Sequence, residues 1–359
     1  MFARLRTLKF ATCLFVICGL LLLASCSGSN TGPGGSVQLQ GAGATFPNPL
    51  YQKWLSEYGK LNPNIKIDYQ SIGSGGGIKQ IRDQTVDFGA SDAPMKDEEL
   101  KAAPGELLHI PTVLGAVVIT YNLQGVAQTL KFSPDVIADI FLGKLKKWND
   151  PRIAADNAGA KLPAADITVV HRSDGSGTSA VFTDYLSKVS PEWKEKVGSG
   201  SSPSWPVGIG GKGNEGVTGQ VKNTPNTIGY VELAYAVQNK LPVAHVKNAS
   251  GAFIEPSIDS VTAAAAASAG NTPDDLRVSI TNAAGATVYS ISSYTYILVY
   301  KSQRDAAKGK ALVDFLWWGL HEGESFAKEL QYAPLPDDIV KRAEVKIKSI
   351  TAGGTPLKQ

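Results

Sequence analysis

The segment ITVVHRSDGSGTSAVF, residues 167–182, decides how the rest of the chain is interpreted. A short β-branched run predicts a strand, the polar residues Arg172 and Asp174 follow it, and the small residues from Gly175 to Ser179 open a predicted helix. A helix N-terminus leaves backbone N–H groups without intrahelical partners and carries the positive end of the helix dipole. The order of strand, polar turn and helix start therefore predicts an anion site.

The residue types in this turn support that prediction. Gly175 and Gly177 let the backbone approach a ligand closely. Arg172 supplies a planar fork for two oxygens of a tetrahedral oxyanion, and Asp174 can hold that fork in place. Three further side chains add hydroxyl donors: Ser176, Thr178 and Ser179.

Two other interpretations of the turn stay open at this point. Ser, Thr, Asp and Gly also cluster at helix N-caps for structural reasons alone. The spacing Gly175-x-Gly177-x-x-Ala180 also fits the dinucleotide-binding fingerprint, with alanine in its last position. A free anion and a dinucleotide use the same helix N-terminus, so only the rest of the chain can separate them.

The N-terminus has the pattern of a secretory signal peptide over residues 1–25. Basic residues precede an apolar run over residues 10–24, which is too short to span a bilayer as a mature helix. The following Leu-Ala-Ser-Cys resembles a bacterial lipobox, which implies cleavage before Cys26 and an acyl anchor on it. Residues 26–36 are rich in Gly and Ser and predict a flexible tether. We therefore expect a periplasmic or extracytoplasmic protein, lipid-anchored to a membrane.

Composition excludes several classes of protein. The full chain has 35 Lys and Arg against 32 Asp and Glu, and the leader removes basic residues only, so the mature chain is formally neutral. A nucleic-acid surface would need a basic excess on one face, so we expect no nucleic-acid partner. Only one of the 3 cysteines remains after cleavage, which excludes an internal disulfide and a cysteine metal cluster. We expect neither a metal nor a cofactor.

The folded part, about 320 residues, is longer than one hydrophobic core usually fills, so two lobes are expected. It repeats the order of strand, glycine-rich loop and helix. The loops GAGATF (41–46) and SIGSGGG (71–77) each precede a predicted helix, and a further strand ends at Ser91 and Asp92. Open α/β sheets bind ligands at the edge where such loops lie. Residues 107–121 predict a strand that crosses between the lobes.

A third glycine-rich segment, GIGGKGNEGV, lies at residues 208–217. It does not complete a P-loop, because Gly213 follows Lys212 where Ser or Thr is required. We interpret it as a mobile loop at the edge of a lobe.

Motifs for catalysis are missing from the sequence. The 4 histidines are scattered, and no Ser lies in G-x-S-x-G. A nucleophile at Ser176 would need a base, and His171 is the nearest candidate in sequence. We expect a binding protein and not an enzyme.

Seven blocks, in one order, resemble the phosphate-binding proteins of bacterial phosphate ABC importers. They lie between Gln40 and Pro336 and read GAGATFPNPLYQKW, YQSIGSGGGIKQI, VDFGASDAPM, GKLKKWND, HRSDGSGTS, GIGGKGNEG and IGYVELAYA. The resemblance implies an α/β, two-lobed periplasmic-binding-protein fold of type II. Each lobe would be an open mixed sheet flanked by helices, with the ligand in the interlobe cleft. We place lobe 1 at residues 37–115 plus 291–359, and lobe 2 at residues 116–290.

Carried over block by block, the resemblance implies that residues of both lobes bind one dehydrated phosphate. Asp92 would accept a proton from the ligand, and Asp174 would support Arg172. The family often has a second serine after Ser74, but this chain has Gly75, so no hydroxyl is expected there. The implied phosphate-binding residues are Thr45, Phe46, Ser74, Asp92, Arg172, Ser176, Gly177 and Thr178.

The implied partners are inorganic phosphate and the permease and ATPase subunits of the importer, with the binding protein as a monomer. Two alternatives use the same anion site: an exported phosphatase, and a phosphate sensor or surface adhesin. Turnover of a phosphomonoester would support the first alternative. Normal phosphate uptake after deletion of the protein would support the second.

Overall fold

The computed structural model describes residues 36–359. The predicted signal peptide, Cys26 and the predicted tether as far as residue 35 lie outside the described residues. Within residues 36–359, no helix is both long enough and apolar enough to cross a membrane.

Strands and helices alternate along much of the described chain. The strands are β1 (Val37–Gly43), β2 (Ile65–Ser71), β3 (Phe88–Ser91), β4 (Leu107–Asn122), β5 (Lys131–Phe132), β6 (Thr168–Arg172), β7 (Ile209–Gly211), β8 (Thr227–Glu232), β9 (His245–Lys247), β10 (Phe253–Ile254), β11 (Ser292–Tyr300), β12 (Ser302–Gln303), β13 (Thr351–Ala352) and β14 (Thr355–Pro356). The helices are α1 (Asn48–Leu61), α2 (Ser74–Arg82), α3 (Asp97–Lys101), α4 (Pro134–Phe141), α5 (Pro151–Asp156), α6 (Gly177–Val189), α7 (Pro191–Lys196), α8 (Gly213–Asn223), α9 (Leu233–Gln238), α10 (Ile258–Ser268), α11 (Ala306–Leu320) and α12 (Asp337–Lys348).

An 8-stranded mixed sheet organises these elements, in the order β2-β1-β3-β11-β4-β8-β6-β7. Strand β4 joins its two halves, because residues 107–116 pair with β11 and residues 117–122 pair with β8. We call β2, β1, β3 and β11 the first half-sheet, and β8, β6 and β7 the second half-sheet. The strand predicted over residues 107–121 is therefore confirmed.

Each half-sheet carries polar segments at the carboxyl ends of its parallel strands. In the first half-sheet, β1, β2 and β3 run parallel and lead toward Thr45, Ser74 and Asp92. In the second, β6 and β7 run parallel to each other and lead toward Asp174 and Asn214, while β8 runs parallel to β6. Polar residues that follow parallel strands collect at the ligand-binding edge of an α/β sheet.

The core beside the first half-sheet is aromatic. Trp54 of α1 lies edge-on to Phe315 and Trp318 of α11, with ring centroids 6.4 Å apart in both pairs. The sequence pattern predicts one helix over residues 309–331, but α11 is shorter and 3₁₀ turns follow it. The α-helical backbone ends at His321, and Trp54 Nε1 donates to the carbonyl of Gly323 at 2.7 Å within the first of these 3₁₀ turns.

Two glycine-rich segments are regular where the sequence predicts loops. Helix α2 begins at Ser74, so the glycines after it form its first turn. A Cβ on Gly77 would lie 2.6 Å from Gly43 Cα, so glycine is what allows this helix to pack against β1. Residues 208–217 contain β7, which pairs with β6, and the start of α8. The interpretation of that segment as a mobile loop is therefore wrong.

Candidate functional site

The carboxyl ends of the two half-sheets meet at glycines. The N–H of Gly75 donates to the carbonyl of Gly175 at 2.9 Å. A methyl group on Gly177 would collide with both the Ser74 hydroxyl and the Asp92 carboxylate. Groups that follow strands of opposite half-sheets therefore lie in close contact at Gly75, Gly175 and Gly177.

The structure brings the predicted phosphate-binding residues together at this place, and all of them are buried. The most exposed of these residues is Arg172, at 3%. A buried cluster of this polarity needs partners within the protein or in a ligand. The members are Thr45, Phe46, Ser74, Asp92, Arg172, Ser176, Gly177 and Thr178.

The predicted helix start is confirmed, with Ser176 as the N-cap of α6. Its hydroxyl oxygen accepts from the N–H of Ser179 at 3.0 Å. Gly177 and Thr178 are the first two helical residues, so their N–H groups have no intrahelical acceptor. The cap thus satisfies one N–H group of the first turn and leaves two buried ones for an anion.

Arg172 is fixed by Asp174. The Nε and Nη2 atoms of Arg172 donate to the two carboxylate oxygens of Asp174 at 2.7 and 2.5 Å. Burial by itself would raise the pKa of Asp174, but the hydrogen bonds and the charge of Arg172 lower it below its ordinary value. Nη1 donates to the hydroxyl of Thr178 at 3.3 Å. A guanidinium has five N–H groups, so two of them remain for a ligand.

Asp92 is the acceptor of the site. Its Oδ1 accepts from the hydroxyl of Thr295 at 2.9 Å, whereas Oδ2 has no hydrogen-bond partner within the described chain. Burial raises the pKa of Asp92 from 3.8 to about 7, although the Thr295 hydrogen bond and the charge of Arg172 act in the opposite direction. Oδ2 is therefore suited to accept a hydrogen bond from a protonated ligand oxygen.

Two tyrosines hold the loop that follows β1. The hydroxyl of Tyr235 donates to the carbonyl of Thr45 at 2.6 Å, and that of Tyr332 donates to the carbonyl of Phe46 at 2.6 Å. Both carbonyl oxygens, which would repel an anion, are thereby engaged by the protein. Because a trans peptide directs its C=O and N–H in opposite directions, the N–H of Phe46 points away from Tyr235.

Sequence reasoning missed two buried members of this network. Asn214 hydrogen-bonds to Thr45 and to Thr178, but the glycine pattern around it gives no reason to select it. Thr295 donates a hydrogen bond to Asp92 and lies in the segment TYILVY, whose apolar sequence predicts a buried core strand. Both roles depend on contacts between residues far apart in sequence, so no local signal could have found them.

The structure also bears on the other interpretations of the turn. His171 stacks on Trp205 with ring centroids 5.0 Å apart, and its Nδ1 hydrogen-bonds to the carbonyl of Arg172 at 3.0 Å. The hydrogen bond between Gly75 and Gly175 places backbone of the first half-sheet's side directly against the glycine turn. Within residues 36–359, no group of three or more His, Cys, Asp or Glu side chains could hold a metal ion.

Comparison with known proteins gives relatives over most of the chain. The model of the PBP superfamily domain matches residues 28–317. The phosphate-binding protein PstS of Pasteurella multocida is 49% identical over 312 residues, which cover 87% of this chain and 90% of that protein. The phosphate-binding protein PstS of Methanocaldococcus jannaschii is 39% identical over an alignment 368 residues long, which covers 94% of this chain and 94% of that protein.

Solved structures share the fold at lower identity. A high affinity periplasmic phosphate-binding protein, PfluDING, bound with phosphate, has a TM-score of 0.68 and 22% identity and covers 90% of this chain and 96% of its own. A phosphate binding protein from Stenotrophomonas maltophilia has a TM-score of 0.64 and 20% identity and covers 86% and 94%. These likenesses confirm the predicted α/β, two-lobed periplasmic-binding-protein fold of type II.

Proposed function

This chain belongs to the family of PstS phosphate-binding proteins, and on that premise we propose that it binds inorganic phosphate between its lobes and delivers it to an ABC importer. The observation that carries the proposal is the composition of the buried site. Backbone N–H, hydroxyl and guanidinium donors converge there from both half-sheets, and one carboxylate oxygen, Asp92 Oδ2, lies among them without a partner in the described chain. Donors suit the oxygens of phosphate, and the carboxylate suits its proton.

The two lobes contribute different groups to the proposed site. We keep lobe 1 at residues 37–115 plus 291–359 and lobe 2 at 116–290, because β4 changes its partner strand between residues 116 and 117. Asp174 serves to hold Arg172. The proposed ligands are Thr45, Phe46, Ser74 and Asp92 from lobe 1, and Arg172, Ser176, Gly177 and Thr178 from lobe 2.

Titration calorimetry of the purified mature domain with phosphate, sulfate and arsenate tests the binding. Phosphate keeps at least one proton at neutral pH and sulfate keeps none, so Asp92 favours phosphate and repels sulfate. We expect saturable binding of phosphate and no binding of sulfate. Absence of phosphate binding would overturn the proposed function.

The proposal extends to where the protein acts. Cys26 carries the acyl anchor, which holds a monomeric binding protein outside the cytoplasmic membrane, beside the permease and ATPase subunits that receive the phosphate. The lipobox-like sequence before Cys26 supports this arrangement. Processing and membrane fractionation of the wild type and of Cys26→Ser test it, because the variant should be soluble or unprocessed. A variant that is processed and still fractionates with membranes would contradict the anchor.

We also propose that the site binds phosphate without catalysing its release from esters. In the described chain the hydroxyl oxygen of Ser176 accepts from the N–H of Ser179, and His171 bonds to a backbone carbonyl. Incubation of the purified protein with a phosphomonoester should release no phosphate above the buffer control. Catalytic release that disappears in Ser176→Ala would make the protein a phosphatase.

A further inference from the structure

Asn214 occupies a position that the proposed function does not yet use. It lies in the first turn of α8 and is fully buried. Its side chain bridges Thr45 of lobe 1 and Thr178 of lobe 2. We propose that Asn214 is a positioning residue that compels both threonine hydroxyls to donate to the anion, an inference that rests on the proposed phosphate site.

The orientation of the Asn214 amide follows from its third partner. The backbone N–H of Glu232 donates to Oδ1 at 2.9 Å. A backbone N–H can only donate, so the atom it meets must be the amide oxygen. Nδ2 therefore faces the threonines, at 2.7 Å from the hydroxyl of Thr45 and 3.1 Å from that of Thr178. Both protons of the amide group are used in these two bonds.

Each threonine hydroxyl accepts a second hydrogen bond. The backbone N–H of Asn214 donates to Thr45 Oγ1 at 3.1 Å, and Arg172 Nη1 donates to Thr178 Oγ1 at 3.3 Å. A hydroxyl group has two acceptor sites and one proton. With both acceptor sites filled, each of these hydroxyls can only donate its proton to a further group.

This arrangement gives the site separate positions for the protonated and the unprotonated oxygens of the ligand. The two fixed hydroxyls favour ligand oxygens without a proton, whereas Asp92 Oδ2 favours the oxygen that carries one. Donors whose direction is set before binding need no reorganisation when the anion arrives. Both donors to Thr178 lie in lobe 2 with it. Thr45 of lobe 1 receives both of its donors from Asn214 of lobe 2, so only the Thr45 hydroxyl depends on closure of the lobes to reach this state.

A double-mutant cycle measured by titration calorimetry tests the inference. Asn214→Ala should weaken phosphate binding about 10- to 100-fold, the range for hydrogen bonds to a charged group. The substitutions Thr45→Val and Thr178→Val keep the side-chain shape and remove the hydroxyls. In that background, Asn214→Ala should lower phosphate affinity by less than about 3-fold. A purely structural role would give the same loss in both backgrounds, and that result would overturn the inference.

Asn214→Asp provides a second cycle and keeps the side-chain shape. The introduced carboxylate accepts hydrogen bonds and turns the hydroxyl protons away from the ligand. Asn214→Asp should therefore lose more phosphate affinity than Asn214→Ala. The part of the loss that persists in the valine background measures charge repulsion alone. If no part of the loss disappears in that background, the inference is wrong. Should Asn214→Ala fail to fold, this cycle alone decides.

Asn223→Ala is the matched control. Asn223 lies exposed at the other end of α8, where its Nδ2 donates to the carbonyl of Gly219 at 2.9 Å, and its removal should leave phosphate affinity unchanged. Thermal unfolding without phosphate checks that each variant is folded. A wild type that does not bind phosphate would overturn the proposed function itself, whereas a wild type that binds, with an additive cycle, would overturn only the role of Asn214.

Discussion

Asp92 combines a hydrogen bond from Thr295 on one carboxylate oxygen with a second, buried oxygen that has no partner in the described chain. Against sulfate, that second oxygen would face another acceptor with no proton between them. We predict that Asp92→Asn raises the ratio of sulfate to phosphate affinity by at least about 100-fold, because a site left with unpaired polar groups can reject an analogue by as much as about 10⁴ to 10⁵. Calorimetric titration with each anion measures the ratio.

The control for this prediction is Asp68→Asn. Asp68 is exposed on β2 and bonds to Gln38, so its charge is lost without a change in the site. The ratio should stay at the wild-type value in this variant. If Asp92→Asn still rejects sulfate while it binds phosphate tightly, discrimination lies elsewhere among the donors.

Arg172 can serve a ligand together with its protein partners. Asp174 accepts from Nε and from one N–H of Nη2, Thr178 accepts from one N–H of Nη1, and the two remaining N–H groups can bind a ligand. We predict that Arg172→Ala weakens phosphate binding by about 2 to 5 kcal/mol, the range for loss of one partner from a buried charge pair. Arg172→Lys should recover only part of this affinity. An ammonium group cannot make the two-point hydrogen bond to Asp174 and also reach two phosphate oxygens. Calorimetry measures both variants, with the surface change Arg152→Lys as control. Equal phosphate affinity of Arg172→Lys and the wild type would show that the planar guanidinium does not bind two phosphate oxygens.

At the scale of elements, the strand, turn and helix at residues 167–182 could be predicted because each signal there is local: β-branched residues, an N-cap serine and a glycine turn. The start of α2 could not be predicted from the sequence. Glycine disfavours helices by propensity, and the sequence therefore predicts a loop through Gly77. Packing overrides propensity here, since only a residue without Cβ lets α2 lie on the backbone of β1.

This packing makes Gly77→Ala a test of how an element positions the site. The added Cβ would lie 2.6 Å from Gly43 Cα and 2.7 Å from the carbonyl oxygen of Ala90, so α2 must shift, and with it Ser74. We expect a loss of about 1 to 3 kcal/mol in the free energy of unfolding, together with weaker phosphate binding. Urea unfolding and calorimetry measure the two effects.

Gly219→Ala in α8 is the matched control, because a Cβ there meets nothing within 4 Å. It should leave phosphate binding unchanged and stabilise the protein by up to about 1 kcal/mol, since alanine favours the helix. Equal effects of the two substitutions would show that the packing of α2 on β1 does not position Ser74.

At the scale of the whole molecule, seven sequence blocks were enough to predict the fold and to name residues that the structure brings together. They could not predict how the lobes are held closed. The hydroxyl of Tyr235 donates to Thr45 across the cleft, and Asn214 bridges Thr45 and Thr178. The two contacts to Thr45 join residues more than a hundred positions apart, and only the folded chain defines them.

Closure of the empty molecule should depend on pH, because the closed lobes bury Asp92. Burial raises its pKa to about 7, whereas a solvated Asp92 in an open molecule should keep a value near 3.8. Asp92 therefore binds its proton more tightly in the closed form than in the open form. This difference favours closure fully below about pH 4, and the contribution is lost as the pH rises through about 7. Between these values the closed form loses about 1.4 kcal/mol relative to the open form for each pH unit.

Solution scattering without phosphate, at pH 4.5 and at pH 8, tests this dependence. We expect a larger radius of gyration at pH 8, and saturating phosphate at pH 8 should restore the smaller value, because the ligand then supplies the proton that faces Asp92. Asp92→Asn should remove the difference between the two pH values. Glu232 remains in this variant as a second buried carboxyl group, and its pKa is raised by burial and, to a smaller extent, by the charge of Asp92. A wild-type radius that is the same at both pH values, or a pH dependence that persists in Asp92→Asn, would show that protonation of Asp92 does not govern closure.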